Sequence, residues 1–146
     1  MDIYIDSRVA EFSPDSELED MINNAVQESL KEDNLSGDFE ISISFVEEDE
    51  IKELNADYRG IDSVTDVLSF PLIEDPSIED GLLGDIVICY KRAIEQSIEY
   101  GHSSKREIIY LVVHSMFHLL GYDHMVDEDK REMRSKEKSV LKRLGV

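Results

Sequence analysis

A chain of 146 residues with 41% hydrophobic residues is long enough for one domain with one core and too apolar for a disordered tail. Its single cysteine, Cys89, excludes an internal disulfide and a metal site built from several thiolates. The formal charge of −19 repels nucleic acid at long range, so any RNA function needs a local basic surface, a metal or a partner.

Ile3 and Ile5 alternate with polar residues and predict a short first strand. Ser16 is the candidate cap of a helix running to about Lys31, with Leu18, Met21, Ile22, Ala25, Val26 and Leu30 as its apolar stripe. Ser36-Gly37-Asp38 reads as a turn. Phe39, Ile41, Ile43 and Phe45 then alternate with Glu and Ser as a strand with one wet face. Glu48 to Tyr58 reads as a short acidic helix, ended by Arg59-Gly60. Thr65 to Phe70 is a short strand, and Pro71 and Pro76 mark a loop. Gly81-Leu-Leu-Gly84 leads into a strand over Asp85–Tyr90, where Cys89 reads as a buried, inert thiol.

Lys91 to about Tyr100 is helical and Gly101 ends it. Ser104 and Glu107 have capping-box spacing for the next helix, apolar from Ile108 to Leu120 and stopped by Gly121. A run so apolar around its circumference predicts the central buried helix. A charged helix closes the chain over about Asp127 to Leu144. The order predicts an α+β fold: a single domain over residues 1–146, with a small, about four-stranded mixed sheet packed with helices. The N-terminus, Met1-Asp-Ile-Tyr-Ile-Asp6, is unlike a signal peptide, and no stretch approaches the roughly 20 apolar residues of a membrane span. A cytoplasmic protein without a membrane partner is expected.

Charge is unevenly distributed. Residues 1–57 carry 18 Asp/Glu against Arg8, Lys31 and Lys52, a net of −15, whereas residues 130–143 carry a net of +5. The acidic half reads most simply as a solvated face.

The segment His114-Ser-Met-Phe-His-Leu-Leu-Gly-Tyr-Asp-His124 carries the chemistry. Residues four apart share a helix face, so His114 and His118 can reach one ion. Gly121 permits a reversal that returns His124 toward the same point. Three neutral nitrogen ligands leave a fourth position for water, the pattern of a catalytic zinc ion rather than a structural one. His102, the remaining histidine, reads as structural or as support for a ligand. The spacing is that of the metzincin proteases, but their general-base Glu is replaced by Ser115, whose hydroxyl cannot act as a base at neutral pH. This argues against proteolysis.

The same segment resembles the H-G-x-x-H-L-x-G-Y-D-H motif of the YbeY family of rRNA-maturation endoribonucleases. Leu54-Asn55, Tyr58-Arg59-Gly60 and Thr65-Asp-Val-Leu-Ser-Phe-Pro71 resemble its second motif, Leu83-Gly-Asp-Ile86 its third, and Gly101-His-Ser with Arg106-Glu107 the approach to the metal helix. The similarity spans about residues 50 to 125. This chain has Ser115 where the family usually has Gly, and Ile61 and Ser63 where it often carries Lys, which removes positive charge from the expected RNA path.

The resemblance implies one zinc ion on His114, His118 and His124 and a functional arginine at Arg59. It also implies single-strand-specific cleavage of ribosomal RNA in 16S 3′-end maturation and ribosome quality control. Its partners would be single-stranded or ribosomal RNA, with ribosomal proteins or other assembly factors. A guanidinium at Arg59 suits phosphate, since it offers paired donors and stabilises growing negative charge; a salt bridge to Asp57 or Asp62 is the plainer role. Asp66 and Asp85 could orient a histidine or act as a base, though each reads more simply as structural, Asp85 as a cap of the turn after Gly84. Asp123 reads as holding the turn. Two other functions fit the residues: a metal-dependent hydrolase of peptide or small-molecule bonds, and a ribosome-assembly factor with a structural zinc.

Overall fold

The computed structural model describes residues 1–122 and 127–146. The order is β1 (Asp2–Ser7), α1 (Ser16–Glu32), β2 (Phe39–Val46), α2 (Glu48–Arg59), β3 (Val67–Pro71), β4 (Gly81–Cys89), α3 (Tyr90–Tyr100), α4 (Ser104–Leu119) and α5 (Asp127–Leu144). The expected sequence of elements is therefore the observed one, an α+β domain. The four strands form one mixed sheet in the order β1-β2-β4-β3, with β1, β2 and β4 parallel and β3 antiparallel to β4.

Period-two alternation divides the sheet into two faces. Ile41, Ile43 and Phe45 of β2 and Ile86 and Ile88 of β4 point into the main core. There they meet Ile22, Ala25 and Val26 of α1, Ile108, Val112, Met116 and Phe117 of α4, and Met133 and Val140 of α5. On the opposite face Val46, Val87, Cys89 and Leu68 pack with Ile51 of α2 as a smaller cluster. Cys89 is buried, as its apolar run implied. Thus α2 and α4 lie on opposite sides of the sheet.

Several boundaries differ from expectation for local reasons. Asp15, not Ser16, caps α1, its carboxylate accepting from Leu18 N–H at 2.8 Å. Ser103, not Ser104, caps α4, accepting from Arg106 N–H at 3.1 Å. Glu107 therefore closes no capping box; it is buried and reaches His102 instead, at 2.7 Å. The strand read as starting at Asp85 begins at Gly81, so Asp85 lies mid-strand opposite Ser42 and Phe70 rather than capping a turn. A register shift beside Ile41, which pairs with Gly84 while Glu40 pairs with Leu82, leaves Leu83 as the extra residue. Pro71, expected in the loop, ends β3.

That shift turns Gly84 toward α4. A Cβ built there would lie 2.5 Å from the Phe70 carbonyl oxygen and 2.7 Å from Leu119 Cδ2. The absent side chain lets β3 and the last turn of α4 close on the same strand.

Helix α5 docks through charge as well as through Met133 and Val140. Arg143 binds Glu28 at 3.0 Å and Glu32 at 2.7 Å on α1, and Lys136 binds Asp33 at 2.7 Å. Glu28, Glu32 and Asp33 thus face the basic C-terminal helix.

Two outcomes follow. Gly84→Ala should lower unfolding stability by about 1–3 kcal/mol, the usual cost of overpacking, in a urea titration. The second concerns pH. Hydrogen bonds from Arg143 hold the Glu28 and Glu32 carboxyls below their ordinary value of 4.5. Their contribution to stability is present above that value and lost as pH falls through the lowered folded-state values. Urea midpoints of Arg143→Gln should lie below wild type at pH 7 and converge with it on acidification below about 4.5.

Candidate metal centre

Helix α4 is buried on nearly every side, and one stripe of it carries Glu107, Tyr110, His114 and His118, three or four residues apart. Beyond Leu120, Gly121 takes φ +101°, the reversal its position implied. Tyr122 N–H donates to the Phe117 carbonyl at 3.0 Å, folding the chain back over the helix end.

The reversal holds one of these rings in place. His118 Nδ1 donates to the Tyr122 carbonyl at 3.1 Å. His114 Nδ1 lies 2.6 Å from Glu137 Oε1, a carboxylate brought in by α5 and itself buried. A carbonyl or carboxylate oxygen accepts, so both Nδ1 atoms carry a hydrogen, and Nε2 is the atom through which either ring, when neutral, would ligate a metal. Those two Nε2 atoms face each other at 3.2 Å. With metal–nitrogen bonds of about 2.05 Å at tetrahedral angles, two imidazoles on one zinc ion would stand about 3.3 Å apart. The observed spacing fits that requirement.

A further layer supports the pair. Tyr122 OH donates to Asp33 at 3.1 Å, and Lys136 binds the same carboxylate. The Asp33 contact also raises the Lys136 ammonium above its usual value. Tyr110 stacks on His114 with ring centroids 5.8 Å apart. Its phenol is pushed up to about 12, first by burial and then by the charges of Glu137, Glu107 and Asp66.

The histidines expected to meet do so for His114 and His118; His124 and Asp123 lie outside the described residues. Among the described residues no group of three or more His, Cys, Asp or Glu side chains converges as a metal site. Ser115 is fully buried in the core, its hydroxyl without a hydrogen-bond partner, and does not share the histidine face. Arg59 ends α2, across the sheet from α4, and is exposed. Among the described residues it makes no ion pair, so the expected bridge to Asp57 or Asp62 does not form; Asp62 lies 3.8 Å from Lys52 instead. Asp66 is structural: it accepts from Val67 N–H at 2.8 Å and from Gln96 at 3.2 Å. Asp85 lines a groove of about 580 Å³ with Arg8, Ser42, Tyr58 and Phe70 on the α2 face. His102 pairs with Glu107, matching its structural reading.

Sequence reasoning missed Glu137. A signal existed: Met133, Glu137 and Val140 fall on one helical stripe, and a carboxylate on the buried face of a helix calls for a partner.

Comparison with known proteins adds an independent line. Residues 4–145 match the family model described as Endoribonuclease YbeY. An Endoribonuclease YbeY of Finegoldia magna is 57% identical over 146 residues, covering 100% of this chain and 95% of that protein. One from Clostridioides difficile is 49% identical, covering 100% and 98%. The solution structure of TM1509 from Thermotoga maritima is 34% identical, with a TM-score of 0.66 over 97% of this chain and 88% of that one.

Glu137→Gln keeps an acceptor beside His114 Nδ1 but removes the charge that raises ligand basicity. Competition titration with a chromophoric chelator should show zinc affinity falling about 10- to 100-fold, with the fold retained by circular dichroism.

Proposed function

Because the chain belongs to the YbeY endoribonuclease family, we propose that it cleaves single-stranded ribosomal RNA at a zinc centre held by His114, His118 and His124. The proposed setting is the cytoplasm, in 16S 3′-end maturation and ribosome quality control, alongside ribosomal proteins or other assembly factors. Among the described residues no helix is long and apolar enough to cross a membrane.

The observation that carries the metal part is the pair of converging Nε2 atoms, 3.2 Å apart, with each Nδ1 committed to an oxygen. Zinc there would supply Lewis acidity toward a phosphoryl oxygen and acidify a water molecule. The protein's own part is orientation. Glu137 and the Tyr122 carbonyl fix the two rings, and burial of α4 keeps them from rotating away. His124 enters by its spacing, six residues after His118 across the Gly121 reversal. Arg59, exposed and without an acidic partner among the described residues, is available to bind a backbone phosphate.

Peptide hydrolysis is disfavoured by Ser115, which stands where a metzincin has its base and is buried away from the histidines. A purely structural zinc is disfavoured by a ligand set of three neutral nitrogens, which leaves a coordination position open.

Purified protein incubated with single-stranded RNA should cleave it, stop on addition of chelator, and recover on return of zinc. His114→Ala should abolish cleavage, and Arg59→Ala should weaken RNA binding about three- to tenfold, the scale of losing one backbone-phosphate contact. Cleavage that persists in His114→Ala overturns the metal reading. A 2′,3′-cyclic phosphate on the product would assign attack to the RNA 2′-OH, and a 5′-phosphate with a free 3′-hydroxyl to water.

A further inference from the structure

An acidic protein that acts on RNA must offer the strand a cationic route, and α5 is where this chain concentrates its positive charge. At about 100° per residue, the helix has three faces. Met133, Glu137 and Val140 are buried. On one flank Lys136 and Arg143 are consumed by Glu28 and Glu32 of α1 and by Asp33 just beyond it. On the other flank lie Lys130, Arg134 and Lys138, each one turn beyond the last, with Arg131 and Lys142 beside them. All five are exposed, and none forms an ion pair among the described residues. Asp127 is the acid that shares this flank, at its N-terminal end.

The row leads to the histidines. Arg134 stands one turn before Glu137, whose carboxylate contacts His114 Nδ1 at 2.6 Å. Lys138 follows Glu137 on the side away from Lys136. Tyr110, stacked on His114, is 37% exposed. Successive cations four residues apart are separated by about 6 Å along the axis, which suits consecutive phosphates of an extended strand.

We propose that the α5 flank bearing Lys130, Arg134 and Lys138 is the track along which the phosphate backbone of single-stranded RNA reaches the histidine site. The inference rests on the RNA reading above and adds the binding surface to it. It also explains how a chain of net charge −19 engages a polyanion: α1 neutralises one flank of the basic helix and leaves the other for the substrate. Contacts to phosphate are indifferent to sequence, so the track supplies affinity and direction, while the metal end supplies chemistry.

The test is fluorescence anisotropy of the full chain with a labelled 2′-O-methyl RNA single strand over a salt series, paired with KM for cleavage of the unmodified strand. The variant K130Q/R134Q/K138Q is compared with K31Q/K52Q/K91Q, which removes equal charge elsewhere on the surface. The α5 variant should bind at least about tenfold more weakly and raise KM to match. Its salt slope should fall by about 2, the sum of three lost single-strand contacts at roughly 0.7 each. The control should stay within about twofold of wild type. If wild type cleaves RNA while both variants shift alike, or the α5 variant does not shift, the track is overturned and the RNA reading stands. If wild type neither binds nor cleaves the strand, both fall.

Discussion

The burial of α4 is the constraint on which the remaining structure depends. A helix apolar on nearly every side can be stable only when surrounded, and the chain surrounds it with the sheet, α1, α3 and α5. One stripe is left partly open, and it carries Tyr110, His114 and His118. Two imidazoles projected from a rigid, enclosed helix have little freedom, so their 3.2 Å convergence is a property of the core as much as of the site. Gly84 belongs to the same constraint, since a side chain there would collide with the Phe70 carbonyl of β3 and crowd Leu119 of α4.

Charge organisation follows from packing. Glu28, Glu32 and Asp33 meet Lys136 and Arg143 across the α1–α5 contact. There Asp33 serves twice, binding Lys136 and accepting from the Tyr122 hydroxyl. Since the Tyr122 carbonyl orients His118, the ion pair at the end of α1 is coupled through one residue to that ring. Glu137 performs the matching task for His114, and a buried carboxylate in such a place is compensated by its hydrogen bond to the ring.

Much of the fold was legible because it is written in local periodicity. The alternation of Phe39, Ile41, Ile43 and Phe45, the stripe of Leu18, Ile22 and Val26, and the glycine stops at Gly101 and Gly121 located all nine elements in order. Ends were less legible. Asp15 precedes Ser16 and Ser103 precedes Ser104, so two good capping residues competed at each start, and only the realised hydrogen bond separates them. The early start of β4 was hidden because Gly81 and Gly84 look like loop residues. Partner strands on both sides and the nearby bulge hold them in the ladder.

By itself the sequence determined the order of elements, the buried central helix, the shared face of His114 and His118, and the reversal at Gly121. These depend on residues close together in the chain, whose neighbours are set by helical and extended geometry. Only the tertiary structure decided that Glu137 and the Tyr122 carbonyl hold the rings, that Ser115 turns into the core, and that Arg59 projects from the far side of the sheet. It also decided which flank of α5 is spent on α1 and which remains open. Each of these depends on how elements distant in sequence dock, which is fixed by the joint burial of their apolar faces rather than by any one segment.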